Sequence, residues 1–305
     1  MIDKGCIVGV CLAVALASVG ATAANEERVT EGTEPKVSVD GRQLLFQRAS
    51  GGRHTVGLFD LESRTVVWMH PGPGEACHPA WGPGGSIVYT YSHETNTSFA
   101  ARTAGAERGY NLLLRGKAGE RILTTGRARD YAVSYSPVTK TFYYTSNNFP
   151  PKNDRGTAMF DRTGLFALKD VPGAKPQALF IPQTYNSGVV SPSLSPDGSR
   201  FVWAYRPSFW AAWCIAFAPA DAPKNVTPAT PETMAAYAPA WRADGAAVAF
   251  TGFAEGDAGW GVWIMDAHTL ARRRVCDGRH PCFSPDGRML YYDRDGFIWR
   301  REVER

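Results

Sequence analysis

The sequence predicts an all-β fold, a six-bladed β-propeller of four-stranded blades. Two observations predict it. The stretch Pro281-Cys282-Phe283-Ser284-Pro285-Asp286-Gly287, followed by Arg288-Met289-Leu290-Tyr291-Tyr292, reads as a strand, a tight turn and a second strand. Proline presets φ, aspartate bonds its own backbone, glycine takes the left-handed conformation, and the flanks are apolar and aromatic as in paired strands. The same frame then recurs without gaps at residues 35–41, 79–85, 133–139, 192–198 and 239–245, the copy at 133–139 having lost its first proline and its glycine. The last residues of the copies are 44, 54, 59, 47 and 42 apart. The short spacings match one blade, roughly 40–50 residues, and the long ones call for insertions.

Taken in order, residues 1–23 have the form of a secretory signal peptide. Lys4 gives a positive start, 7–19 is apolar, and Ala21-Thr22-Ala23 is a small-residue cleavage site. The apolar run is shorter than the roughly 20 residues of a spanning helix. Residues 24–305 are therefore expected as one exported propeller domain, periplasmic or secreted, not inserted in the membrane and monomeric. Residues 28–35 align without gaps on 274–281, where one repeat ends and the next begins. The final repeat has strands at 289–293 and 297–303 but no outer strand, so 28–30 is expected to supply it and close the ring.

Blade one takes Val37, 44–47, 55–60 and 65–68. Blade two adds 87–91, 111–114 and 121–124 around an insertion at 92–110. Blade three adds 141–145, a long insertion at 147–162, then 165–168 and 177–181. Blade four takes 201–205, 213–217 and 224–227, and blade five 247–251, 261–265 and 272–275.

Composition fits a packed β-domain: of 305 residues, 44% are hydrophobic and 12% aromatic. A net charge of +4, with no basic run longer than Arg272-Arg273-Arg274, argues against nucleic acid as a partner. No Gly-x-Ser-x-Gly elbow, metal-type Cys-x-x-Cys pair or phosphate-cradling glycine loop is present. Cys276 falls on an outer strand and Cys282 on the next inner one, too far apart for a disulfide.

A repeat of Pro, apolar residues, Ser-Pro-Asp-Gly, strand, then Val262-Trp263-Ile264-Met265-Asp266 and Arg274-Val275, clearest in blade five, resembles the WD-repeat-like propeller of the TolB family. The resemblance covers about residues 28–305. TolB is the periplasmic component of the Tol-Pal system, so the resemblance implies an exported six-bladed propeller that acts as a binding module. Similar repeats occur in the propellers of prolyl-oligopeptidase-like enzymes.

In such a blade the loop between strands two and three and the link to the next blade open on one face. His54, His70, His78, His93 and His280 fall there, and loops on a rigid scaffold carry function. The residue before each repeat proline is Glu34, His78, Ala132, Ser191, Ala238 or His280, at one register around the channel. His280, Glu34 and His78 come from successive blades, and two histidines with one carboxylate suit a divalent metal with open positions; an ordinary polar rim without a metal is the other reading. Arg129, Tyr131, Tyr237, Arg279 and Trp260 are expected to line the same mouth and bind a ligand. Arg102, Arg108, Tyr110, Lys152, Asp154, Arg155, Arg206, Phe209 and Trp210 add an aromatic and basic surface suited to an envelope protein, a peptide or a glycan. The composite expectation is a binding module using its insertion face, with no cofactor. The alternative is a metal-dependent lyase or hydrolase of a polysaccharide or small molecule at His78, His280 and Glu34.

Overall fold

The computed structural model describes residues 26–69, 74–92, 110–126, 128–148, 162–184 and 186–304. The segment 1–23, His70, His93 and most of both long insertions lie outside the described residues.

Six four-stranded antiparallel sheets are present. The first strand of the chain, β1 (Glu26–Glu31), belongs to the last sheet. Blade one is β2 (Thr33–Val37), β3 (Gln43–Ser50), β4 (Arg53–Asp60) and β5 (Val66–Trp68). Blade two is β6 (Glu75–Trp81), β7 (Ile87–Ser92), β8 (Asn111–Gly116) and β9 (Gly119–Ile122). Blade three is β10 (Asp130–Ser136), β11 (Thr141–Ser146), β12 (Gly164–Lys169) and β13 (Gln177–Phe180). Blade four is β14 (Gly188–Leu194), β15 (Arg200–Arg206), β16 (Cys214–Pro219) and β17 (Thr227–Pro228). Blade five is β18 (Met234–Trp241), β19 (Ala247–Ala254), β20 (Gly261–Asp266) and β21 (Arg272–Asp277). Blade six is β22 (Arg279–Phe283), β23 (Met289–Arg294) and β24 (Phe297–Glu302), with β1 outermost.

The repeat turn works as its residues dictate. In blade six the Ser284 hydroxyl donates to Asp286 Oδ1 at 2.5 Å, Arg288 N–H donates to the same oxygen, and Met289 N–H donates to Ser284 Oγ. Gly287 N–H closes the turn on the Ser284 carbonyl with φ 70°, a conformation that favours glycine. Blades one and four repeat this network at Ser38–Asp40 and Ser195–Asp197. Blade three has Thr139 where the glycine belongs, and the left-handed residue there is Lys140, one place on.

The core lies between blades. Strand two of each blade is buried on both faces, so alternate side chains feed two different interfaces. In β15, Phe201 and Trp203 pack toward blade three with Tyr143 and Leu165, while Val202 packs toward blade five with Met234, Val248 and Phe250. Six such clusters fill the six blade junctions.

The ring closes as expected. β1 pairs antiparallel with β24, Arg28 opposite Trp299 and Thr30 opposite Ile298. Val29 is buried with Ile298, Leu44, Phe46 and Phe59 in the junction of blades six and one. Charge reinforces the pairing: Glu26 contacts Arg294 and Arg301, and Glu27 contacts Arg300 and Arg64. One outer strand is shorter than expected. In blade four only Thr227 and Pro228 pair with β16; Pro228 has no N–H to donate, which suits it to the end of an edge strand. Among the described residues, the cysteines Cys77, Cys214, Cys276 and Cys282 are buried thiols. Among the described residues, no helix is long and apolar enough to cross a membrane.

Candidate functional site

Every inner strand is interrupted at the same place. Its register with strand two breaks between Thr33 and Lys36, Cys77 and Ala80, Tyr131 and Ser134, Val190 and Ser193, Tyr237 and Ala240, and Arg279 and Cys282. Within each break one non-glycine residue is left-handed: Glu34 (φ 54°), His78 (50°), Ala132 (50°), Ser191 (54°), Ala238 (51°) and His280 (48°). Such a conformation costs an L-residue roughly 1–2 kcal/mol. Ala132 adopts it before Val133, so the repeat frame imposes it and the following proline does not. A bulge re-aims a side chain, and here all six line a central cavity of about 470 Å³.

Three of the bulged N–H groups, off their own ladders, are caught by polar side chains of the preceding blade's second strand. Glu34 N–H donates to Asp293 Oδ2 (3.0 Å), His78 N–H to Gln47 Oε1 (2.9 Å) and His280 N–H to Thr251 Oγ1 (2.8 Å). Sequence reading missed these partners. Their signal was a polar residue at one register of an otherwise apolar strand two, namely Gln47, Thr251 and Asp293.

The ring has two halves. Blades three, four and five contribute Ala132, Ser191 and Ala238; blades six, one and two contribute His280, Glu34 and His78. His78 Nδ1 lies 2.9 Å from Glu34 Oε2, and His280 Nδ1 lies 2.7 Å from Asp293 Oδ2. Asp293 Oδ2 already accepts the Glu34 N–H, so it is an acceptor and His280 Nδ1 carries the proton. Burial opposes ionisation of Glu34, but the charge and hydrogen bond of His78 outweigh it, with His280 and Lys36 adding to the pull, and hold the carboxyl well below the usual carboxylate range. Burial likewise works against a charged His78, yet Glu34 raises its pKa above the ordinary value. Glu34 and His78 thus form an ion pair on the cavity wall. A third pair, His54 Nδ1 with Glu75 Oε1 at 2.7 Å, joins the starts of β4 and β6, where the Tyr110 hydroxyl donates to Glu75 Oε2.

Of the other expected site residues, Tyr131 and Tyr237 line the cavity. Their rings lie 5.9 Å from His78 and 5.6 Å from His280 respectively. Burial pushes both phenols up to about 12, so they are neutral hydrogen-bond donors. Trp260 packs edge-on against Tyr237 at 5.0 Å, and the Arg279 guanidinium covers Trp260 at 5.6 Å. The backbone N–H of Arg129 donates to Asn147 Oδ1, and its charge acts on Tyr131. Phe209 and Trp210 pair edge to face at 4.7 Å, Trp210 being 90% exposed. Arg102, Arg108, Lys152, Asp154 and Arg155 lie outside the described residues.

The architecture matches solved structures at low sequence identity. TolB from Acinetobacter baumannii superposes with a TM-score of 0.62 at 15% identity, over 91% of this chain and 64% of that one. The fold is a TolB-like six-bladed β-propeller. A protein assigned as TolB from Agrobacterium tumefaciens matches at 0.61 and 16% identity over 91% of both chains. An oligogalacturonate lyase in complex with manganese matches at 0.56 and 15% identity, over 90% of this chain and 76% of the other. This chain spans 64% of the length of the Acinetobacter protein. No family model matches its sequence, and no curated protein does.

Glu34 is bonded to His78 Nδ1 and acts as the partner that orients the ring. His280 is oriented in the same way by Asp293. Among the described residues, no three His, Cys, Asp or Glu side chains are gathered to hold an ion. Within the set His78, His280 and Glu34, one carboxylate oxygen is bonded to His78. Each imidazole keeps Nε2 for whatever enters the channel.

Proposed function

We propose that this chain is an exported TolB-like propeller that binds a ligand at the mouth of its central channel. The observation that carries this reading is the two-sided ring. One half of the cavity presents two oriented imidazoles, and the other is cut back to alanine and serine. Ligand sites are concavities of roughly 300–1,000 Å³ with few, well-fixed polar groups, and 470 Å³ falls within that range. Tyr131, Tyr237 and Trp260 give the mouth flat apolar walls, and Phe209 with Trp210 extends the same loop face toward a protein or glycan carrying the ligand. Export rests on Lys4, the apolar run at 7–19 and Ala21-Thr22-Ala23.

The test is a thermal-shift screen of sugars, amines, organic acids and short peptides against the wild type and a Ser191→Trp variant, which fills the small half of the ring. At least one class should raise the wild-type melting temperature and leave the variant unmoved. A screen without any such class, or a shift that survives the filling, overturns the reading.

A further inference from the structure

The chemical class of the ligand can be read from how charge is distributed on the channel wall, an inference that rests on the channel being the ligand site. Among the cavity-lining residues the one carboxylate is Glu34, and it is spent on His78. Asp293, beneath the wall, is spent on His280 Nδ1 and the Glu34 N–H. Lys36, two residues further along β2, lines the same cavity, and its ammonium has no hydrogen-bond or ion-pair partner among the described residues. At the mouth, Arg279 lies against the Trp260 ring instead of a carboxylate. Cations thus lead from the mouth down the wall of blades six and one, and the acids nearby are already used. The Lys36 charge acts on Glu34 through space but is bonded to no carboxylate, and a cleft with an excess of one sign of charge between low-dielectric walls concentrates ions of the opposite sign.

The hydrogen-bonding groups agree with that sign. Protonated His78 offers Nε2–H as a donor, because its Nδ1–H is held by Glu34. His280 is oriented by its Nδ1–H on Asp293, which leaves the His78 Nε2–H as the imidazole donor. The Ser191 hydroxyl faces them across the ring, while Ala132 and Ala238 leave room for a ligand body and Tyr131 and Tyr237 flank it. We infer that the channel binds a small molecule bearing anionic oxygens, a carboxylate or a phosphate, with its charge on Lys36, its oxygens on the inward Nε2–H of His78 and the Ser191 hydroxyl, and a flat or apolar body between Tyr131 and Tyr237.

Four probes share one ring and differ in charge: benzoate, phenyl phosphate, benzamide and benzylamine. Calorimetric titration of the mature chain should show benzoate or phenyl phosphate binding in the millimolar range or tighter. Benzamide and benzylamine should bind about tenfold more weakly or worse, since a charge-assisted hydrogen bond contributes enough for that factor. Whichever anion binds more tightly identifies carboxylate or phosphate as the natural group. Lys36→Met should weaken the anion about tenfold or more, and Lys36→Arg should retain it, which separates lost charge from a damaged fold. If benzamide or benzylamine binds as well as benzoate and Lys36→Met changes nothing, the anion assignment falls while the channel remains the site. If anion binding survives Ser191→Trp, the channel itself is the wrong site. If neither anion binds at millimolar concentration, the assignment is overturned.

Discussion

Val29 is a direct handle on ring closure. It is 5% exposed and sits with Ile298, Leu44, Phe46 and Phe59 where blade six meets blade one. Val29→Ala removes two methyl groups. At about 0.8 kcal/mol each, plus a cavity contribution because the rigid strands around it cannot collapse inward, the expected loss is roughly 1.5–2.5 kcal/mol. For a domain of this size that corresponds to a drop in melting temperature of about 3–8 °C. Val138→Ala, on the exposed repeat turn of blade three at 58% exposure, is the control and should change stability by under about 0.5 kcal/mol. The assay is thermal and urea denaturation followed by circular dichroism. If Val29→Ala unfolds with the wild-type midpoint, β1 does not carry core packing across the closure, and the argument that the first strand completes the last blade loses its energetic content.

Two further outcomes follow from the turns and the ring. Gly287→Val should destabilise by roughly 1–3 kcal/mol, because φ is 70° and a Cβ there would meet Arg242 at 2.9 Å; wild-type stability of that variant in the same melts would refute the turn assignment. The Glu34–His78 pair should make stability depend on pH in a defined sense. The pKa of Glu34 is depressed on folding, so its contribution is present above its ordinary value of 4.5 and is lost as pH falls below it. The pKa of His78 is raised, so its contribution is full below 6.5 and is lost as pH climbs through the raised value. The stability gap between wild type and His78→Gln should therefore be widest between pH 4.5 and 6.5 and shrink above it; a gap that stays constant to pH 9, a value well beyond the ordinary imidazole range of about 6.5, contradicts the pair.

The fold was legible because the repeat writes itself in turn chemistry. Ser-Pro-Asp-Gly has few conformations available, and its spacing counts blades. Closure was legible for a similar reason, since residues 28–35 copy 274–281. The ring residues could be found by counting, but what they do could not. A period of two does not anticipate a bulge, and the bulge is what turns Glu34, His78 and His280 inward. The partner of His280 is thirteen residues away in sequence, on β23, and looked like the end of an apolar strand. Lys36 was unremarkable as a strand residue; only the loss of nearby acids to other partners makes its ammonium stand out. The metal triad was read from composition at one register; the structure adds that the Glu34 carboxylate bonds His78, a contact that counting along the repeats does not show. The outer strand of blade four was placed too early, because residues 224–226 are drawn into turns, the Asn225 N–H bonding the Ala222 carbonyl and the Val226 N–H the Lys224 carbonyl.

The pairing of β1 with β24 also shapes how the molecule must be made. Glu26 and Arg301 are 275 residues apart in sequence, so β1, which is made before the other described strands, is among the last to find its partner. Blades one to five each draw all four strands from one continuous stretch and can assemble in order. Blade six cannot, because its inner three strands arrive at the end while its outermost one has been waiting since the beginning. Contacts of such long range are slow to form. Until they do, β24 presents an unpaired edge on which any other extended chain can add, so the time spent before the circle locks is when this protein is most exposed to pairing with the wrong strand.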